Sequence, residues 1–456
     1  MSTPNAASGA TSSAAHRADR AMSASSLVDY VKSLDCIHCG LCLNTCPTYR
    51  LTGTESAGPR GRIHLMRAVA EGELRADAAF AEEMEFCLLC RNCESVCPSG
   101  VHFGAMMEHT RDGLARTGVA PRKGLVRFAF DHVLKKRWML RFATRAGRTL
   151  QLLGTWRIFF THLGKHGRML ADVPDIPPAR ERRLLPATTP AVGDRRGTAA
   201  VLEGCVMPEL YGRVNRATVA VLARSGFEVR VPKGHVCCGS LHAHNGDLDG
   251  ARELARKTID AYETLVDERG APMPIVLNSA GCGAHMREYE HLFDAADPWR
   301  VRAKAFAARV QDLSVFLATP NARAGLDAAL AKGPRTNADL GRVTWDDPCH
   351  LCHAQGVRKE PRALLDRVPG LERVELEHSE LCCGSAGIYS MLRPADSEAI
   401  FAPKVAALDA TGARVLVTAN PGCQLQWETG LARERRDVKV LHLAEVLERA
   451  TRPAGR

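Results

Sequence analysis

The sequence predicts a multidomain α+β protein, with a mostly helical N-terminal domain followed by two duplicated α/β domains with parallel sheets. Three observations predict it. Two cysteine runs of one spacing, "CIHCGLCLNTCP" and "CLLCRNCESVCP", stand 51 residues apart in a helix-patterned region. Beyond residue 197, apolar strands alternate with helical stretches in the order β-α-β-α-β. That order then recurs: Cys205, Cys237 and Cys282 are answered by Cys349, Cys382 and Cys423 at offsets of 144, 145 and 141. Three near-equal offsets indicate an internal duplication.

Taken along the chain, residues 1–24 are rich in Ala, Ser and Thr and lack an apolar core. They read as a disordered tail, with a transit peptide as the minor alternative. Residues 25–118 carry the two cysteine runs, with helices expected over 60–74 and 78–87. Residues 119–196 form a basic helical segment and a Pro- and Arg-rich linker. Between Pro121 and Arg168 twelve Lys or Arg face a single acid, Asp131, and alternate with Phe128, Phe130, Trp138, Phe142, Trp156, Phe159 and Phe160. The first α/β domain is placed at 197–320. Its strands are "TAAVLEGC", "FEVRVP" and "PIVLNSAGCG", with helices at 212–225 and near 250–268. The second, at 321–456, repeats it with "RVTWDDPCHLC", "RVELEHSELCCGSAG" and "RVLVTANPGCQ".

Composition narrows the class. Of 456 residues, 45% are hydrophobic and 25% charged, ordinary for a globular chain of two to four domains. No apolar run reaches the roughly 18 residues of a membrane span. Seventeen cysteines without a secretory signal point to a reducing, cytoplasmic compartment, where clustered thiols bind metal.

Both runs read C-x2-C-x2-C-x3-C-P, the spacing of bacterial [4Fe–4S] ferredoxins, in which the fourth cysteine serves the neighbouring cluster. On that rule one [4Fe–4S] cluster takes Cys36, Cys39, Cys42 and Cys97. The other takes Cys87, Cys90, Cys93 and Cys46. Gly40 and Asn92 are placed at the loop bends, and Pro47 and Pro98 at the turns after the fourth cysteines. Structural zinc, the alternative, uses paired knuckles across a longer loop. His38 and His102 read as ordinary loop residues, because eight thiols already supply both clusters. In "GPRGR" either Arg60 or Arg62 could offset cluster charge, or both could be surface charges at a helix start.

Each α/β unit offers a cysteine after its first strand, a Cys-Cys-Gly, and a cysteine after a later strand. The sets are Cys205, Cys237, Cys238 and Cys282, then Cys349, Cys382, Cys383 and Cys423, with Cys352 beside the second. Strand ends of a parallel sheet are where ligand sites form. Eight cysteines at matched positions favour a further metal or iron–sulfur centre over inert buried thiols. Gly239 and Gly384 are read as admitting close backbone approach at such a centre.

Tandem ferredoxin motifs followed by two CCG repeats resemble the cysteine-rich CCG family over nearly all of 30–450. The family includes the iron–sulfur subunit of glycolate oxidase, the membrane-anchoring subunit of anaerobic glycerol-3-phosphate dehydrogenase, and heterodisulfide reductase. "CIHCGLCLNTCPTYRLTGTESAGPRGRI", "LEGCVMPEL", "SAGCGAHMREY", "LCCGSAGIYS" and "TANPGCQLQ" are most similar to the glycolate oxidase branch.

The resemblance implies an electron-transfer subunit that takes electrons from flavin-containing dehydrogenase subunits and passes them to a quinone or other acceptor. D-Lactate, glycerol 3-phosphate and disulfide chemistry are the alternatives to glycolate. The family's CCG repeats end in CxxC and hold a noncubane [4Fe–4S] centre. Here Cys282 and Cys423 have no such partner, and Cys352 could substitute in the second repeat. No GxGxxG or Walker-type loop is found, so neither flavin nor NAD is expected on this chain. The basic segment has two readings, a peripheral contact with the inner face of the cytoplasmic membrane or a docking surface for the flavin subunits. Nucleic-acid binding has no supporting motif.

Overall fold

The computed structural model describes residues 27–121, 124–156, 160, 175–232, 234, 237–337 and 340–453, the side chain of Leu125 excepted. The tail expected over 1–24 lies outside them, as do Phe159, the basic residues of 161–168, and His235 and Val236 before the first Cys-Cys-Gly. Two compact units result. One holds the described residues of Met1–Lys123 together with His242–Leu248; the other holds those of Gly124–Leu241 and Asp249–Arg456.

The first unit is helical. Pro59 opens the helix Pro59–Ala70 at its first position, where the missing N–H has no intrahelical partner to lose. Asp77 caps Ala78–Glu85, accepting from the N–H groups of Ala79 and Phe80 at 3.0 Å each. Both helices stop short of their sequence-predicted ends. Their inner faces, Ile63, Met66 and Val69 from one and Phe80 and Met84 from the other, meet Phe103, Met106 and Met107 of the helix Phe103–Arg116. Cys87 and Cys93 belong to the same core, so the cysteine loops are packed into the unit and not hung from it. The segment His242–Leu248 joins this unit through Arg111 Nη1, which donates to the His244 carbonyl at 2.7 Å, and through Leu248 N–H, which donates to Asp112 at 2.9 Å.

Among the described residues of the second unit nine strands form two sheets. The first comprises β1 (Thr188–Thr189), β2 (Gly197–Val201), β3 (Phe227–Arg230), β4 (Ile275–Leu277) and β5 (Val310–Asp312), in the order β1-β3-β2-β4-β5. The second comprises β6 (Arg342–Trp345), β7 (Glu372–Val374), β8 (Val415–Thr418) and β9 (Lys439–His442), in the order β7-β6-β8-β9. All pairings are parallel except that of β1 with β3. Without β1 the two orders are identical, which is the duplication in three dimensions.

Two features differ from the sequence reading. Each repeat has a fourth strand, β5 or β9, where three were expected. The stretch read as linker contributes β1, which covers the edge of β3. Central strands are buried along their length, as parallel sheets covered on both faces require.

The repeats pack through matched elements. The helix Gly212–Arg224, which follows the first strand of one repeat, lies against Leu443–Ala450, which follows the last strand of the other. Reciprocally, Lys359–Leu365 lies against Leu313–Ala318. A single apolar core runs through both repeats, from Val201, Leu222 and Leu317 to Trp345, Leu365 and Leu447. Among the described residues no helix is long and apolar enough to cross a membrane.

One buried ion pair stands in the second repeat. Lys404 Nζ is 2.5 Å from Asp346, and both side chains are 1% exposed. Nζ also donates to the carbonyls of Ser379 and Leu381 at 2.7 Å each. Burial opposes the lysine's charge, but the Asp346 carboxylate outweighs it and holds the amine above its ordinary value. Lys404→Met strands a buried carboxylate and is expected to remove about 3–5 kcal/mol of stability in urea unfolding. The Asp346→Asn, Lys404→Met double variant is expected to recover most of that loss; a double variant as unstable as the single one would show that the pairing is not the cause.

Candidate metal centres

The two cysteine loops of the N-terminal unit have the same backbone. In C-x2-C-x2-C, the second residue after the first cysteine is left-handed in both, His38 (φ 57°) and Leu89 (φ 54°). So is the fourth, Gly40 (φ 82°) and Arg91 (φ 63°). The bend of the second loop is therefore at Arg91 and not at Asn92, which begins the helical turn Asn92–Ser95. The position, and not the residue's own preference, sets the conformation there. The first cysteine of each loop is held alike: Arg67 donates to the Cys36 carbonyl at 3.0 Å, and Arg111 to the Cys87 carbonyl at 2.5 Å. Cys46 precedes Pro47 as the N-cap of Pro47–Thr52. Cys97 opens no helix; its carbonyl accepts from Gly100 N–H at 3.3 Å in a turn.

These loops enclose two cavities. Cys36, Cys39, Cys42, Cys93 and Cys97 line one, and Cys46, Cys87, Cys90 and Cys93 line the other. Each cavity thus draws thiols from both motifs: Cys97 of the second run lines only the first cavity, and Cys46 of the first run lines only the second. Cys93, Pro59 and Phe103 border both, so the two spaces are neighbours. The thiols surround these spaces; among the described residues no three His, Cys, Asp or Glu side chains are gathered to hold a single metal ion. Burial pushes the Cys42 thiol up to about 11 and Cys93 well above the ordinary range, so metal loading must release protons from them.

Arginines distinguish the cavities. Arg60 borders the first and is held by Glu55 through bonds of 2.6 and 3.0 Å. Arg62 borders the second and is fully buried, donating from Nε to the Glu83 carbonyl at 2.8 Å and from Nη1 to Thr48 Oγ1 at 3.1 Å. Its Nη2 is buried without a hydrogen-bond partner. A buried cation beside a ring of thiols fits an anionic group in that space, which four thiolates around an iron–sulfur cube would supply. His38 lines the first cavity with its Nε2 2.9 Å from Arg67, whereas His102 is outside both linings.

The repeats gather the second family of cysteines at their strand ends. In the first repeat Cys238 Sγ stands 3.2 Å from Cys282 Sγ, and hydrogen bonds link Cys205 to Cys237 and Cys237 to Cys238. The Cys238 thiol holds Cys282 below the usual thiol range, while hydrogen bonding to Cys237 and burial push Cys205 up. In the second repeat Cys383 bonds to both Cys382 and Cys423. Cys352 turns instead toward the Cys349 carbonyl, at 3.8 Å, and burial pushes it above the thiol range.

Gly239 (φ 85°) and Gly384 (φ 83°) are left-handed, and a Cβ on them would stand 3.2 Å from Ala251 Cα and 2.6 Å from the Ser397 carbonyl. The glycine of Cys-Cys-Gly therefore lets the long helix of its repeat, Leu248–Glu263 or Pro394–Thr411, pack against the turn; it was expected to admit a ligand. Across the repeat interface Ala280 N–H donates to the Ala419 carbonyl at 3.2 Å, and Gly281 N–H to Asn420 Oδ1 at 3.1 Å, so the segments bearing Cys282 and Cys423 adjoin.

Arg62 was one of the two arginines that the sequence offered as offsetting cluster charge, but Lys404 was not singled out; it falls on the stripe of Ile400, Val405 and Leu408, and a charge within an apolar stripe was the available signal. The clamps Arg67 and Arg111 have no such mark.

Comparison with known proteins agrees with this geometry. A model of the 4Fe-4S dicluster domain matches residues 32–101, and a model of the cysteine-rich CCG domain matches 199–287 and 343–428. The chain is 36% identical to a protein named probable glycolate oxidase iron-sulfur subunit from Bacillus subtilis, over 92% of this chain and 94% of that one. It is 32% identical to the glycolate oxidase iron-sulfur subunit of Escherichia coli, over 91% and 93%. It is 29% identical to a fumarate reductase (CoM/CoB) subunit of Methanothermobacter marburgensis, over 92% and 73%. Matched nearly end to end in both dicluster and CCG regions, the chain belongs to the family of glycolate oxidase iron–sulfur subunits.

Proposed function

We propose that this chain is the electron-transfer subunit of a glycolate-oxidising complex, with one [4Fe–4S] cube held by Cys36, Cys39, Cys42 and Cys97 and the other by Cys87, Cys90, Cys93 and Cys46. The carrying observation is the exchange of fourth cysteines between two adjoining cavities. The cubes supply one-electron transfer. The protein's part is to hold eight thiols, to bury the second set, and to place a cation beside it. Oxidation of glycolate to glyoxylate falls to a flavin-bearing partner, and a quinone is the acceptor. For a further centre the Cys205, Cys237, Cys238 and Cys282 set offers four linked thiols at the strand ends of the first repeat.

The contact between Cys238 and Cys282 favours a second reading, a dithiol that acts on disulfides as in heterodisulfide-type relatives. Disulfide reduction that persists without the flavin partner, and is lost in Cys282→Ser, would select it.

The basic segment supports a peripheral seat on an anionic bilayer. Its helix Arg137–Leu152 turns the usual arrangement inside out. Arg137 and Arg141 face inward to the buried carboxylates of Glu203 and Glu209, at 2.9 and 3.2 Å. Trp138, Phe142 and Leu152, which share one side at 3.6 residues per turn, are 67%, 70% and 72% exposed. Arg145 is exposed among them. Trp, Phe and Leu beside cations is the composition of helices that lie in the membrane interface.

Two tests follow. Anaerobically prepared protein is expected to carry about eight irons, with Cys97→Ser altering the same paramagnetic signal as Cys39→Ser. If Cys97→Ser alters the signal that Cys90→Ser alters, the exchange of ligands is wrong. Trp138→Ser with Phe142→Ser is expected to weaken sedimentation with anionic vesicles roughly tenfold; undiminished sedimentation with loss of flavin-partner binding would assign this face to the partner.

A further inference from the structure

Charges around the two cavities match pair by pair, with one exception. Each cavity is bordered by an arginine bonded to a glutamate: Arg60 to Glu55 at the first, Arg91 to Glu94 at the second, both at 2.6 Å. Each loop's first carbonyl is held by a half-buried arginine, Arg67 or Arg111. Arg62 has no counterpart at the first cavity. It is 0% exposed, is ion-paired with no carboxylate among the described residues, and leaves Nη2 unpartnered. Its other partner, Thr48 Oγ1, stands 3.2 Å from Cys46 Sγ.

The thiols differ as well. All four of the second set are buried, whereas Cys39 is exposed and Cys36, Cys42 and Cys97 are half-buried. Adding an electron to an anionic centre is harder where water is excluded, because the extra charge is less well solvated. A fixed cation in the same low-dielectric space works the other way, and more strongly than it would in water. Cluster potentials respond to net charge, hydrogen bonding and exposure in this sense.

We propose that Arg62 is the counter-charge that sets the reduction potential of the centre held by Cys46, Cys87, Cys90 and Cys93. It keeps a fully buried cube able to accept electrons from its more exposed neighbour. This rests on the two-cube reading given above. The step is the uptake of one electron, drawn in turn from the reduced flavin of the partner subunit, with no bond made or broken. Arg62 acts on the centre through its charge and is a positioning residue, not a catalytic one.

The test is an anaerobic potentiometric titration of the iron-loaded protein followed by electron paramagnetic resonance. Arg62→Gln is expected to lower one midpoint and leave the other in place, with iron content unchanged. The shifted signal should be the one that Cys90→Ser alters. Arg62→Lys is expected to keep the wild-type midpoint near neutral pH and to lose it as pH rises through the lysine's titration, while the wild-type midpoint holds. That second variant decides the matter should Arg62→Gln shed its iron. Two unchanged midpoints in Arg62→Gln, a shift confined to the signal that Cys39→Ser alters, or a pH-independent midpoint in Arg62→Lys would each overturn the proposal. Wild-type protein lacking two iron–sulfur signals would instead overturn the two-cube reading.

Discussion

Three thiols within seven residues cannot face one centre unless the backbone between them turns against its preference. In both loops it does so twice, and only one of the four positions, Gly40, is a glycine. A left-handed L-residue costs roughly 1–2 kcal/mol, so His38, Leu89 and Arg91 together store a few kcal/mol in the two loops. The surrounding unit is arranged to hold them. Arg67 and Arg111 fasten the loop starts, the helices Pro59–Ala70 and Phe103–Arg116 close over them, and Cys87 and Cys93 are packed into the core. The helical unit around the thiols is as much a clamp on two strained loops as a support for ligands.

What could be read from the sequence was what repeats. The cysteine rhythm placed both loops, and equal offsets disclosed the duplicated sheets. Features that obey geometry instead of residue preference were missed. Asn92 looked like the bend because asparagine tolerates it, but the loop imposes φ at the fourth position whatever residue stands there, and Arg91 takes the strain. Strands β5 and β9, of three and four residues, run directly into helices and offer no period long enough to recognise. The threads joining Cys282 and Cys423 across the repeats are backbone bonds, invisible in side-chain identity.

The C-terminal repeats meet as two copies of one subunit would, each offering the helix after its first strand to the helix after its last. Arg213 fixes this contact, bonding Glu428 at 3.0 Å and Glu445 at 2.8 Å. Such an interface brings the strand ends of both halves, and their cysteines, toward one another without further design. It also shares one apolar core between them, so neither repeat is packed independently of the other.

Covalent linkage gives that arrangement a freedom that a symmetric pair of separate chains lacks. In a homodimer every substitution appears twice, so a charge introduced beside one set of thiols is introduced beside both. Here the second repeat encloses Lys404 and Asp346 near Cys383 and Cys423, while the corresponding helix of the first carries Thr258, whose hydroxyl donates to the Cys237 carbonyl at 3.0 Å. Two repeats in one chain can therefore differ beside their thiols, with a buried lysine on the helix of one and a threonine on that of the other, while their strand orders stay the same.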